Sequence, residues 1–286
     1  LYVAAGAAGL LSVDPATLAV LATNAVNGEA ADVALSGSTL YVAAGFGGCR
    51  IFSIASPFAP ALLGTFGHPA RAVDADVAGS TLLLAGDEAG LQIHSLTNVA
   101  NPEWVATVAA STNPRCLAVA GTLAFVAEAL GDLKIYDVHD PAAPSLLGTA
   151  AADGLATIRR LAVSGSRLAA TDGHRINLFD VSDPAAPTAL ASNVPPGYVF
   201  DLAADSNRFY AACGGAGLRI LDNSALGLVG SHATSPDSAM SVALSGDRAY
   251  VGDGGRTLWT ISVTNPAAPV LVQTSTAGGF GGAGGA

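Results

Sequence analysis

The chain has 286 residues, enough for one large domain or two smaller ones, and acids outnumber bases by 22 to 12. That balance excludes a general affinity for nucleic acid, whose backbone contacts need a basic surface. No run of eighteen apolar residues exists to form a membrane-spanning helix.

The chain opens at Leu1 without methionine or a basic leader, so it reads as a processed, trimmed or partial product. A short strand pattern around Tyr2 comes first, and its counterparts follow at Tyr41, Leu83, Phe125, Ala169, Tyr210 and Tyr250. Successive copies lie 39 to 44 residues apart. All but the first are preceded by a small polar turn, such as Ser36-Gly37-Ser38, Ala120-Gly121-Thr122 and Ser245-Gly246-Asp247. Each full unit divides into four short apolar runs. In one they fall at Cys116–Ala120, Leu123–Ala127, Leu133–Val138 and Ser145–Ala150, bounded by Gly, Asp or Pro turns.

Nothing in the chain has the apolar stripe of a helix of ten residues or more. Four antiparallel strands per period of about forty residues describe a propeller blade, since radial repetition leaves only short, protected edges. The expected fold is therefore all-β, a seven-bladed β-propeller of four-stranded antiparallel blades. Residues 1–275 form the propeller and 276–286 a Gly-rich tail or closing segment. The first unit lacks its own innermost strand, so its blade is either incomplete or closed by that tail.

The turn before each outermost strand has its own chemistry. Asp140-Pro141, Asp183-Pro184 and Asn265-Pro266 each start a Pro-Ala-Ala-Pro turn. The Asp or Asn side chain can hold the local backbone while proline fixes the next φ. The second prolines, Pro144, Pro187 and Pro269, precede a strand with one unladdered side, where proline is tolerated.

Together with Tyr41-Val42-Ala43-Ala44-Gly45, Gly90-Leu91-Gln92-Ile93, Gly217-Leu218-Arg219-Ile220 and Asp180-Val181-Ser182-Asp183-Pro184, these units resemble the LVIVD-repeat family of β-propellers. The resemblance runs through almost the whole chain. It implies a bacterial exported or surface-associated protein, placed in the periplasm, at the cell surface or outside the cell. It brings no catalytic motif. Two units depart from the pattern: Asn223-Ser224-Ala225-Leu226 replaces the Asp-Pro turn in the sixth, and Asp14-Pro15 belongs to a compressed version in the first.

Innermost strands of a propeller line an axial channel. The position five residues before each inter-strand glycine, or its equivalent Ser206, holds Asp32, Asp74, Cys116, Arg160, Asp201 and Ser241. The next residues, Val33, Ala75, Leu117, Leu161, Leu202 and Val242, read as core, so alternation turns the polar set toward the channel. Asp32, Asp74, Arg160, Asp201 and Ser241 are the candidate ligand-binding residues. Three roles are open to them: acids capping backbone amides or pairing with Arg159 and Arg160, a partial oxygen cage for calcium, or a site for a small polar ligand. Asp76, Arg71 and Arg115 fall near the rim, out of strict register.

A second polar group, Asp87, Glu88, Glu128, Asp172, His174, Cys213 and Asp253, occupies recurrent loops. Tight turns account for most of it. His68, His94, His139, His174 and His232 share no register, so no metal triad is expected. Glycine-rich stretches such as Gly45-Phe46-Gly47-Gly48 and Gly252-Asp253-Gly254-Gly255 lack the helix and lysine of a phosphate loop. Cys49, Cys116 and Cys213 are too few and too scattered for a disulfide framework.

Three functional readings follow. The first is a non-catalytic extracytoplasmic scaffold binding a protein, glycan or surface component. The second is a lyase or hydrolase of a small polar substrate using the axial acids and Arg160. The third is a structural module of a surface or filament assembly, with Phe46, Phe58 and Phe280 as contacts. No residue is assigned a catalytic or metal role, no cofactor is expected unless calcium, and the sequence sets no oligomeric state.

Overall fold

Tyr41 pairs with Ala34 on one side and Ile51 on the other, and this crossing repeats around the molecule. Phe125 lies between Ala118 and Ile135, Ala169 between Ala162 and Leu178, and Tyr210 between Ala203 and Ile220. The 39-to-44-residue period is thus the repeat of one strand register. The computed structural model describes residues 1–67, 70–108, 111, 113–129, 131–151, 154–155, 157–234, 238–254, 257–276 and 284–285. His68, Gly255, Phe280 and the tail segment 277–283 lie outside the described residues.

The strands form seven four-stranded antiparallel sheets, so the chain is a seven-bladed propeller. The only described helical element is one 3-10 turn at Asp87–Ala89. Blades two to seven each start at the axis, with inner strands Asp32–Ser36, Ala72–Ala78, Pro114–Ala120, Arg160–Ser164, Asp201–Ala204 and Ala239–Ser245. In the first blade the innermost strand is Gly284–Gly285, pairing antiparallel with Tyr2–Ala4. The two ends of the chain therefore meet in one sheet.

Blade packing explains the burial pattern. Second strands such as Thr39–Ala43 are buried along their whole length, because both faces touch a neighbouring blade. Outermost strands such as Ala61–Phe66 are largely exposed. Seven apolar clusters fill the seven gaps between neighbouring blades. The gap between blades seven and one holds Val3, Leu11, Val13, Leu18, Tyr250 and Leu258, so side-chain packing closes the ring as well as strand pairing.

Each outermost strand carries one β-bulge at the same place, for example between Ile51/Phe52 and Ile135/Tyr136. A bulge increases local twist, which lets each sheet fan outward from the axis. The residue opposite Ile135 is Gly148, opposite Ile51 it is Gly64, and opposite Ile220 it is Gly230. These glycines serve close approach. A Cβ on Gly148 would strike the Pro184 carbonyl, one on Gly230 the Pro266 carbonyl, and one on Gly64 would lie 2.7 Å from the Ala100 carbonyl. Each sits under the turn of the following blade. Alanine or glutamine holds this position in the other four blades, at Ala22, Ala106, Ala191 and Gln273, and only the last two precede a shortened turn.

The turns behave as their side chains require. Asp140, Asp183 and Asn265 accept hydrogen bonds from the amides of Ala142, Ala185 and Ala267 at 3.0, 3.0 and 3.2 Å. In the first and sixth blades the shortened turns put Leu18 and Leu226 at φ 57° and 59°, with both side chains fully buried. Left-handed backbone costs a non-glycine residue about 1–2 kcal/mol. Burying a leucine contributes about 1.5–3 kcal/mol, so packing holds the strained turn.

Candidate functional site

The inner strands bring Asp32, Asp74, Asp76, Cys116, Arg160 and Asp201 to the wall of one axial cavity of about 210 Å³. Ser241 holds the equivalent place in the seventh blade, but it is buried beside Gly252 and is not among the residues lining that cavity.

The carboxylates accept hydrogen bonds from backbone amides, one of the roles open to them from the sequence. Asp74 Oδ1 accepts the amide of Ala75 at 2.9 Å in its own strand, and Oδ2 accepts that of Leu117 in the next blade at 2.8 Å. Asp201 does the same with Leu202 and Val242, both at 2.9 Å. Asp76 holds Val77 at 2.8 Å and Val119 at 3.0 Å. Asp32 Oδ2 accepts the amide of Ala75 in the next blade at 3.1 Å. Inner strands of neighbouring blades meet near the axis without a shared ladder, so their inward amides need acceptors. An aspartate reaching across one blade gap supplies one.

Burial sets the protonation of this ring. It pushes Asp76 and Asp201 up to about 6. Asp32 is pushed well above the usual range by burial and then by the neighbouring Asp74 charge. Burial also raises Asp74. Arg160 meets Asp201 at 3.4 Å through Nε and donates from Nη1 to its neighbour's carbonyl, Arg159 O, at 2.8 Å. Calcium needs six to eight oxygens. No cluster of three or more His, Cys, Asp or Glu suited to a metal occurs among the described residues.

Three of the loop acids are also committed. Glu128 accepts the Asn113 amide at 2.9 Å and meets Lys134 at 3.4 Å. Asp253 holds the amide of Thr257 and the indole of Trp259, both at 2.7 Å. Asp172 holds the amides of His174 and Arg175 at 2.8 and 2.9 Å. The three cysteines are buried and free.

Above the axial ring the chemistry changes sign. A cavity of about 510 Å³ at the channel mouth is lined by Ala31, Val73, Ala129, Thr157, Ile158 and four arginines: Arg71, Arg115, Arg159 and Arg160. These are four of only 12 basic residues in a chain of net charge −10, and the lining contains no acid among the described residues. All four come from the consecutive third, fourth and fifth blades. Arg115 and Arg159 each stand one residue before the axial ring, where Phe200 and Met240 stand in the sixth and seventh blades. Arg71 and Arg115 have loose carboxylate partners, Glu29 at 3.7 Å and Asp87 at 3.3 Å. Arg159 is exposed and has no ion-pair partner among the described residues.

Sequence reasoning placed Arg71 and Arg115 near this rim but did not join them to Arg159. The available signal was the pair of dipeptides Arg115-Cys116 and Arg159-Arg160, which put arginine at the same place in adjacent repeats.

Comparison with known proteins agrees with the fold. The LVIVD repeat pattern matches residues 27–67, 114–151 and 236–276. No curated protein matches the chain. A functionally unknown protein from Desulfotomaculum acetoxidans superposes with TM-score 0.78 at 12% identity, over 96% of this chain and 94% of that one. The periplasmic gluconolactonase of Pseudomonas aeruginosa gives 0.78 at 13%, over 97% and 96%. The WD40 propeller domain of Doa1 gives 0.69 at 13%, over 89% and 84%. At such identities the likeness is one of fold.

Proposed function

The chain is a seven-bladed β-propeller carrying LVIVD repeats, and we propose that it is a non-catalytic extracytoplasmic binding scaffold. Its partner, a protein, glycan or surface component, engages the arginine-lined mouth of the axial channel. One observation carries this reading. The axial carboxylates accept backbone amides of the next blade, while the arginines above them line an open cavity with no acid among its described lining residues. The lyase or hydrolase reading drew its acid and base from the axial aspartates, and each of these accepts backbone amides of the scaffold. Guanidinium groups match carboxylates and phosphates bidentately, so an anionic group on the partner fits this mouth.

The test is retention of purified envelope proteins and of an array of charged and neutral glycans on the immobilised chain. The expected result is binding that Arg115→Ala and Arg159→Ala together reduce at least tenfold. Retention unchanged in that double variant, or no retention at all, contradicts the proposal.

A further inference from the structure

A second depression continues the mouth outward. About 300 Å³ in volume, it is lined by Phe46, Ala70, Arg71, Asp87, Asn113 and Arg115, and it shares both arginines with the mouth cavity. Phe46 is 86% exposed, the most exposed large apolar side chain of the described chain. Its position follows from the backbone. Gly45 and Ala72 exchange hydrogen bonds at 3.1 and 3.0 Å across the gap between blades two and three, and Gly45 takes φ 56° there. An antiparallel bridge at that pair sets Phe46 across from Arg71. A Cβ on Gly45 would lie 3.8 Å from Arg71 Nε, so the guanidinium stem runs over this glycine.

The same bridge recurs as Gly6↔Ala30 and Gly214↔Ala239. In those copies the residues at the Phe46 and Arg71 places are Ala7 with Glu29, and Gly215 with Ser238. A scaffold needs only the bridge. Of the three described bridges, this one alone carries an aromatic and an arginine, and it lies next to Arg115 and Asn113. The groove thus offers a flat apolar face, an amide and two guanidinium groups within one wall, with Arg115 held 3.3 Å from the Asp87 carboxylate and Arg71 3.7 Å from Glu29. Simple anions use only the forks. A pyranose ring with a carboxylate uses every part: C–H groups on the aromatic face, hydroxyls on amide and carboxylate, and the acid on arginine.

We infer that the groove between blades two and four binds a carboxylate-bearing saccharide of the uronate class, with Arg71 and Arg115 taking the carboxylate, Phe46 the apolar ring face, and Asn113 and Asp87 the hydroxyls. This deepens the reading of the mouth as a binding site and rests on it.

Calorimetric titration of the whole chain tests it, using an oligogalacturonate, a neutral oligosaccharide of equal length and inorganic phosphate. The oligogalacturonate binds, the neutral sugar binds at least tenfold more weakly, and phosphate alone binds more weakly still. Arg115→Ala weakens the oligogalacturonate at least tenfold and Phe46→Ala about fivefold. Both side chains are exposed, so unchanged thermal unfolding verifies that the variants fold. Equal binding of neutral and acidic sugars overturns the proposal, as does phosphate binding as tightly as the uronate with no effect of Phe46→Ala. If the uronate fails while arginine-dependent retention of another envelope component persists, this inference falls and the broader binding role stands. If the arginine variants change nothing on any partner, both fall.

Discussion

Asp74 Oδ2 lies 2.8 Å from the amide nitrogen of Leu117, forty-three residues along the chain and one blade further round the ring. Asp32 with Ala75 and Asp201 with Val242 repeat the relationship. Each is a hydrogen bond from a backbone amide to a carboxyl group across a blade gap. Removing the acceptor strands a buried amide, at about 1–3 kcal/mol. Asp74→Ala therefore lowers unfolding stability by about 2–3 kcal/mol, read as a shift in the urea midpoint. Asp32→Asn costs less than Asp201→Asn, because burial and then the Asp74 charge push the Asp32 carboxyl well above its usual range, toward the neutral form that an amide resembles. An Asp74→Ala protein with unchanged stability would remove the carboxylates from the fold's support.

The same ring gives the protein an acid-leaning stability profile. Asp76 and Asp201 hold protons to about pH 6 in the folded chain, whereas an unfolded aspartate releases its proton near 3.8. Between these values the folded state binds more protons than the unfolded one. The stability they contribute is complete below about pH 4 and is lost as pH rises through about 6. Asp14 and Asp180 act oppositely: hydrogen bonds from Ala16 and Ser182 hold them below the usual range, so their contribution is lost on further acidification. The urea midpoint should rise from about pH 7.5 to about pH 5, and Asp201→Asn should flatten that rise. A midpoint that falls steadily over the same interval contradicts this picture.

Gly148 lies under the turn that begins at Pro184, so Gly148→Ala drives a methyl group into a backbone carbonyl. Overpacking of this kind costs about 1–3 kcal/mol. Thermal unfolding of Gly148→Ala, set beside a conservative Ala191→Ser change at the equivalent position of the fifth blade, reads the difference. Equal melting temperatures would show that the turn moves freely over the outer strand.

Leu226 separates backbone strain from burial. Leu226→Ala loses the buried side chain and keeps φ near 59°, whereas Leu226→Gly loses the same side chain but relieves the strain. Glycine should be the milder substitution by about 0.5–1 kcal/mol, the reverse of the order at an ordinary strand position. The usual order, alanine above glycine, would mean that the turn adopts another backbone in solution.

Much of the fold was legible because a propeller writes its geometry into a period. The aligned Tyr41, Phe125, Tyr210 and Tyr250 are the second strands, and the Asp-Pro turns are where the outermost strands begin. The place of Asp32, Asp74 and Asp201 on the inner strands was legible too, since alternation with Val33, Ala75 and Leu202 put them on the cavity side. Capping of backbone amides was among the roles open to them, but the particular amides were not legible. A side chain facing the axis can still turn back to an amide of the next repeat, and hydropathy carries no record of that contact. Ser241 shares the register and not the cavity wall, because Gly252 leaves it a niche inside its own blade. The arginine mouth escaped because Arg71 belongs to a bridge between blades, Gly45 with Ala72, which no single repeat displays.

The axis divides into carboxylates that build the ring and arginines to which we assign the partner. The most direct measurement compares the affinity of one retained anionic ligand for the unmodified chain, for Asp32→Asn and for the Arg115→Ala, Arg159→Ala double variant. The predicted result is an affinity kept within about twofold in Asp32→Asn and lost at least tenfold in the arginine variant. Loss in Asp32→Asn with full affinity in the arginine variant would contradict it.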